Sequence, residues 1–542
     1  MTPLEVEGPV LTRLVREIHE EAERARTSPA PELTFSLWRR FADGGDRLAY
    51  EGAYFERRRR LAALLLAAHL DDRPDPALDD LLWSVCDEYS WVLPAHEPKG
   101  GDPNAFVDLF AAETAQTLAE GVRLLGGHVD ARVRARVRAE VERRVFAPLE
   151  AGTMWWESAR HNWSAVCAGA AGAAALALGA DRVVARLEGA MEAFLSGTGA
   201  DGACLEGPDY WAYGFGYFVY FAEALREHTG EDLLDDPHVR EMAAYPARVD
   251  LGDGTRPAFA DAQARGVYPA GLLSRLSERL GVPVPVTAGE PSFHDDPCYR
   301  WAHLSRTLWW AREVPVAEPG PHTYLPDAGI VVARSGGAAF AAKGGHNDEP
   351  HNHLDVGTFV LHARGETVLD DLGAPEYTRD YFREGRYLVP QASAEWHSIP
   401  LVEGRGQVPG PERRAEVLEH AVDGDAVTFA LDLTAAYAVP CLERLTRTFR
   451  WRPGRLELTD AFGFTTRDAR VSEVFVSRRR PVLGDGRVAW GPVALEVPAG
   501  WRAEADELAV RGHDGEQQTV HRVRLSARVP SGAHRFTFTV DG

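Results

Sequence analysis

Between Lys343 and Asp371 the chain reads KGGHNDEPHNHLDVGTFVLHARGETVLDD, and His346, His351, His353, Asp355, Asp370 and Asp371 crowd there around two short apolar runs. Imidazole nitrogen and carboxylate oxygen at that density are the donor set of a borderline metal ion, zinc before others. The run 354–363 reads as a strand and 366–369 as its return, with Arg364-Gly365 as the tight turn between them. On a strand, His351, His353 and Asp355 lie two apart and share a face, and Asp370 at the end of the returning strand comes alongside. His397, in AEWHSIPLV, is the candidate for the remaining histidine. Any one of these residues is as well explained by an exposed hairpin or by a bond to a backbone carbonyl; the clustering is what points to a metal. HExxH is absent, so the pattern is not that of a zincin.

A second constellation lies upstream. MWWESARHNWSAVC (Met154 to Cys167) and LEGPDYWAYGFGYFVYF (Leu205 to Phe221) both read as helix openings. Pro208 suits a first helical turn, and Tyr210, Tyr213 and Tyr217 then recur along one face, where phenols and the indoles of Trp155, Trp156, Trp163 and Trp211 make a wall on which sugars stack. Tyr217, Phe218 and Phe221 read as core, whereas Tyr210, beside a Gly-Pro turn, reads as facing a cleft. Further aromatics and guanidinium groups follow the metal candidates in GAPEYTRDYFREGRYLVPQASAEWH, where Tyr377, Arg379, Tyr381, Arg383 and Arg386 suggest a basic patch suited to carboxylate or sulfate.

These groups need two kinds of scaffold. From the N-terminus to about Val314 apolar residues recur at three- and four-residue spacing, and segments 54–70, 76–89, 104–125, 131–149, 162–178, 181–195 and 208–228 predict successive helical hairpins. The Ala- and Gly-rich run 168–179 predicts close helix packing; no GK[ST] follows it, so it is not a phosphate loop. The Pro- and Gly-rich stretch 314–329 reads as a linker, and from Ile330 onward short β-branched runs between turn residues predict an antiparallel sandwich, with strands such as 427–433, 442–451, 455–461, 471–476 and 534–540. The expected division is thus residues 1–313 helical, 314–329 linker and 330–542 sheet, with the histidine-rich hairpin facing the helical half across an interdomain cleft.

The chain of 542 residues carries a formal charge of -22, which argues against nucleic acid or an anionic membrane surface as partner. Lysine occurs only at Lys99 and Lys343, so a basic patch must come from arginine. Five cysteines, never in CxxC spacing, imply neither a disulfide framework nor a thiolate metal site. No basic, apolar leader and no uninterrupted apolar span is seen, so the expectation is a cytoplasmic protein.

In the motifs NW (Asn162, Trp163), EGPDYWAYG, KGGHNDEPHNHLDVG, VLDDLG and WHSIP, taken in order along most of the chain, the sequence resembles the heparinase II/III-like polysaccharide lyases. The resemblance implies an N-terminal (α/α) toroid, a C-terminal antiparallel β-sandwich, and cleavage of uronate-containing polysaccharides by β-elimination. It further implies zinc on His353, Asp370 and His397, one ion with a structural part, and His351 as the catalytic histidine beside them. Asn162 resembles the residue that neutralises the substrate carboxylate and Tyr210 the catalytic tyrosine. The sequence departs from some relatives in having His161 before Asn162 and Trp163 after it, and Gly214 after Tyr213 where an arginine follows.

On this reading Asn162 stabilises charge moving onto the uronate carboxylate, Tyr210 protonates the leaving oxygen, and His351 or Tyr210 takes the proton from carbon. A phenolate needs a cationic neighbour, for which Arg160, Lys343 and Arg379 are candidates, while Trp163, Tyr213 and Tyr377 complete the sugar wall. Asp355 and Asp371 are then carboxylates behind the metal ligands. The partner is an anionic oligosaccharide or polysaccharide; a homodimer is compatible with the sequence. Two other classes fit the same residues: a zinc-dependent hydrolase using the His/Asp/His set, and a carbohydrate-binding relative without catalysis.

Overall fold

The computed structural model describes residues 9–98, 100–285, 289–316 and 319–541; Lys99, the first eight residues and positions 317 and 318 of the expected linker lie outside them. From Thr12–Thr27 to Trp301–Trp310 the regular elements are helices, paired into hairpins that wind into an (α/α) toroid. The anticipated segments appear as Leu48–Asp71, Pro76–Cys86, Leu109–Leu125, Ala131–Val141, Asn162–Leu178 and Val184–Leu195. Their inward faces are the expected ones: in the arginine-rich helix, Val133, Val137, Val141 and Val145 are buried.

The small-residue helix Asn162–Leu178 packs as its composition predicts. A Cβ on Gly169 would stand 2.7 Å from the Tyr217 carbonyl oxygen, and one on Gly172 2.4 Å from the Phe221 ring. Only glycine lets these two helices approach so closely. The Tyr210 segment is less regular than expected. Pro208–Tyr210 opens a helical turn, Trp211–Phe215 forms a π turn, and Gly216–Thr229 continues as an α-helix. Such π turns recur at functional sites because they re-aim side chains.

The sheet half comprises a five-stranded sheet, an eight-stranded sheet and a four-stranded sheet with antiparallel neighbours, and a short two-stranded pair. The five-stranded sheet runs His322–Leu325, Ile330–Ser335, Ala338–Lys343, Phe359–Ala363, Glu366–Leu369. Its first strand lies inside the stretch read as a linker. This sheet is the layer shared by both halves. On one face Ile330, Val332, Ala339, Ala341 and Val360 join the helical core; on the other Val331, Ala333, Phe340, Ala342, Phe359 and Leu361 join the sandwich core. The period-two alternation therefore divides one strand's residues between two cores.

The hairpin is present but shorter than expected. Ala363 faces Glu366 across Arg364-Gly365, whose φ values of 54° and 76° make the two-residue turn that matches strand twist. Its first strand, however, starts at Phe359, and residues 351–358 are turn and loop, with His351 itself at φ 57°. Strand alternation is thus not what brings His351, His353 and Asp355 together.

Candidate active site and metal centre

A cleft of about 1370 Å³ lies between the halves. Asn162, Trp163, Tyr210 and Tyr213 line it from the toroid, and His351, Tyr377 and Arg379 from the sheet half.

Asn162 sits at the start of its helix, where the Glu206 carboxylate accepts its backbone N–H at 2.9 Å and so caps an otherwise unpaired donor. The helix carrying Tyr210 packs against this start through Gly214, where a Cβ would meet the Asn162 Cα at 3.1 Å. A side chain there would push Asn162 away, which accounts for glycine at this position. The Tyr210 ring stacks on His351 at 4.2 Å, and its hydroxyl lies 2.7 Å from that of Tyr377. Burial, and next the negative charge of Asp261, push the Tyr210 phenol up, so it rests protonated. Tyr213 points elsewhere: its hydroxyl donates to the buried Glu113 at 2.7 Å, with the Arg300 guanidinium over its ring.

Asp261, absent from the residues singled out above, holds this arrangement together. Its carboxylate is fully buried and meets four groups: His351 Nδ1 at 2.6 Å, His353 Nε2 at 3.0 Å, the Tyr377 hydroxyl at 2.8 Å and the Tyr381 hydroxyl at 2.6 Å. Burial alone would raise this carboxyl, but the bonds from His351 and His353 hold it well below the usual range. The loop that delivers it crosses from the toroid into the sheet half. Ala262 rests against Gly207, and its carbonyl oxygen would lie 2.1 Å from a Cβ on Gly373. Asp209 ties the loop down by accepting the Gln263 N–H at 2.7 Å and a bond from buried Arg256. The residue next to Tyr210 therefore anchors the loop that bonds His351.

On the other side of His353 lies a group that could hold a metal ion. One ligand atom each from His353, Asp355 and His397 falls within 4.8 Å of the others, and all three residues are buried. Each has one atom engaged and one left over. His353 uses Nε2 on Asp261, His397 uses Nδ1 on Asp371 Oδ2 at 3.0 Å, and Asp355 Oδ1 takes the Lys343 ammonium at 2.9 Å. His353 Nδ1, His397 Nε2 and Asp355 Oδ2 have no hydrogen-bond partner among the described residues. Buried polar atoms are almost always satisfied, so three convergent orphans of this chemistry fit a cation. Arg447, itself buried against Asp460 and Glu473, donates to the carbonyls of Gly357 at 3.0 Å and Ser398 at 2.7 Å, fixing the two segments that bear the donors.

Several site expectations require correction. Asp370 turns away from the imidazoles: Arg478 bonds one oxygen at 3.0 Å and the Asp371 N–H the other at 2.9 Å, so Asp355 takes its place in the donor set. Burial pushes the Asp370 carboxyl up to about 6 despite Arg478. Lys343 is buried on Asp355 and does not reach the cleft. Arg160 is exposed and lines a separate small depression with Gly197 and Pro350. Of the three expected cations only Arg379 lines the cleft; Arg47, not anticipated, lines it too, is paired with Glu51, lies 3.4 Å from His96 Nε2, and opposes in small part the rise that burial imposes on Tyr210. His96, oriented by buried Asp108 at 2.8 Å, packs edge-on against Trp163 at 4.9 Å. Neither Arg47 nor His96 stands in a spaced motif; an arginine before a helical run and a lone histidine carry no signal until the toroid closes.

The helical toroid, the antiparallel sheet half and the cleft between them define the fold of the heparinase-type polysaccharide lyases. A mutant of heparan sulfate lyase HepC from Pedobacter heparinus is 14% identical over 100% of this chain and 85% of its own, with a TM-score of 0.65. Heparinase III is 12% identical over 100% and 88%, also at 0.65, and chondroitin AC lyase of Streptomyces coelicolor A3, in complex with chondroitin sulphate, is 14% identical over 97% and 79%, at 0.58. At such identities the likeness is one of fold. No protein-family model matches the sequence, and no curated protein does. Among the described residues no helix is long and apolar enough to cross a membrane.

Proposed function

We propose that the protein is a lyase that cleaves uronate-containing glycans by β-elimination. The observation that carries this reading is the meeting, across one cleft, of an amide at a helix start, a protonated phenol and an imidazole stacked 4.2 Å from it. The fold shared with polysaccharide lyases raises its standing as analogy.

Asn162 donates to the uronate carboxylate and stabilises the enolate-like charge that builds there as the adjacent C–H bond breaks. His351 takes that proton, for its Nδ1 is held by Asp261 and its ring lines the cleft. The electron pair forms the new C=C bond, the C–O bond to the leaving sugar breaks, and Tyr210 supplies the proton to the departing oxygen. Burial and the Asp261 charge keep Tyr210 protonated for that step, and the Tyr377 hydroxyl, 2.7 Å from that of Tyr210 and 3.3 Å from His351 Nδ1, offers the path by which the proton taken by His351 returns to it. Trp163 and Tyr377 form the sugar wall with Arg379 beside them.

A metal on His353, Asp355 and His397, zinc by its donor chemistry, would brace the loop carrying His351. None of those three residues lines the cleft, so the metal group is set back from the substrate. That setting favours a structural ion over the open-position metal of a hydrolase.

The test is incubation with a panel of glycuronan oligosaccharides and polymers, following the ultraviolet absorbance of unsaturated uronate. The expected product is unsaturated; saturated fragments alone would favour the hydrolase, and binding with no cleavage at all the carbohydrate-binding relative.

A further inference from the structure

The anionic load that the cleft accepts can be read from what its charged groups already do. Among the described residues, seven carboxylates line it and only four guanidinium groups, those of Arg47, Arg300, Arg379 and Arg383. Two of the four are hydrogen-bonded to carboxylates within the protein. Arg47 is paired with Glu51. Arg300 donates to Glu113 at 3.1 Å and to Asp296 at 2.8 Å. Arg379 gives one N–H to the Ala42 carbonyl at 3.0 Å and has, among the described residues, only the carboxylate of exposed Asp380 near it, 3.8 Å from Nε. Arg383, exposed at the mouth, has no carboxylate partner among the described residues.

The rest of the basic patch anticipated from the sequence is spent within the protein. Tyr377 and Tyr381 both donate to Asp261, and Arg386 donates twice to the Asn352 carbonyl, at 3.1 and 2.8 Å, while stacking on Tyr381. What remains for the substrate is a neutral amide at Asn162, aromatic faces and the guanidinium groups of Arg379 and Arg383, against seven carboxylates. A single carboxylate per repeat fits that set. A sulfate ester adds a full charge that needs its own forked or cationic partner to repay its lost hydration, and it would enter a site already rich in carboxylates.

We infer that the substrate is a uronate glycan without sulfate esters. This deepens the lyase reading above and rests on it.

Two matched pairs test it, heparosan against heparan sulfate and chondroitin against chondroitin 4-sulfate, with alginate and polyglucuronate as further unsulfated polymers and heparin-agarose as an arm that needs no catalysis. The expected result is unsaturated product from an unsulfated polymer, at least about tenfold faster than from any sulfated counterpart, and no retention on heparin at an ionic strength where the screening length is about 8 Å. Glu97→Lys with Asp514→Lys, two acidic lining positions, should narrow a matched-pair ratio by about threefold or more by adding positive potential. A sulfated polymer cleaved as fast as its unsulfated partner, or firm retention on heparin, overturns the inference and leaves the lyase reading standing. No unsaturated product from any of the six polymers counts against the lyase reading itself, and the inference goes with it.

Discussion

Two polar clusters share His353, and they are built on opposite terms. Around Asp261 each oxygen has its donors: two imidazoles and two phenols converge on one buried carboxylate. Around His353 Nδ1, His397 Nε2 and Asp355 Oδ2, a few ångströms away, three buried acceptors face one another with no donor among them. The first cluster is complete in the polypeptide and joins the two halves; the second has the donor set that a cation would complete. One histidine thus ties the cleft to the candidate metal group, one ring nitrogen turned to each.

The sharpest way to break this contrast is to remove the shared residue. His353→Ala should lose bound metal and leave Asp261 short of a donor, with a stability loss of about 3–5 kcal/mol read by denaturant titration. Next, Tyr210→Phe should lower kcat by about 10²–10⁴ with metal content unchanged, whereas Tyr213→Phe, whose hydroxyl serves Glu113, should lose far less; retained turnover in Tyr210→Phe would falsify the acid assignment. Asp355→Asn should weaken metal binding by roughly 100-fold in a chelator competition, and Asp371→Asn, one bond further out, by about 10–100-fold. Asp261→Asn presents an amide to donors that need acceptors. It should cost about 10–100-fold in kcat with a smaller change in KM, the pattern of a displaced positioning residue. At the small end, Asp370→Asn should keep its metal and Arg160→Ala should keep its activity, within the roughly 0.5 kcal/mol typical of surface changes for the latter. Metal loss in Asp370→Asn would return that carboxylate to the donor set.

Much of the scaffold was legible because each half obeys one period. Helices such as Asn162–Leu178 followed from apolar spacing, and the Arg364-Gly365 turn from its residue types. The stretch after His351 misled because Leu354 and Val356 alternate like strand residues, yet they are buried in a loop that Arg447 fixes from below. Asp370 and Asp371 are neighbours, and no pattern says which faces the imidazoles; Arg478, more than a hundred residues on, decides it. Asp261 was illegible for a related reason. It stands in AFADAQ with no partner nearby in sequence, and every group that it bonds comes from the other half. The traces it left were glycines: Gly207 and Gly373, in two of the quoted motifs, are the positions that admit its loop.

That loop has a consequence for any attempt to dissect or recombine the molecule. Since Ala262 is wedged between Gly207 and Gly373, the carboxylate that sets the sheet half's histidines is on loan from its neighbour. A sheet half grafted onto a foreign toroid would arrive with His351 and His353 unsupported unless residues 256–264 travelled with it. The unit of inheritance for this chemistry is therefore the seam.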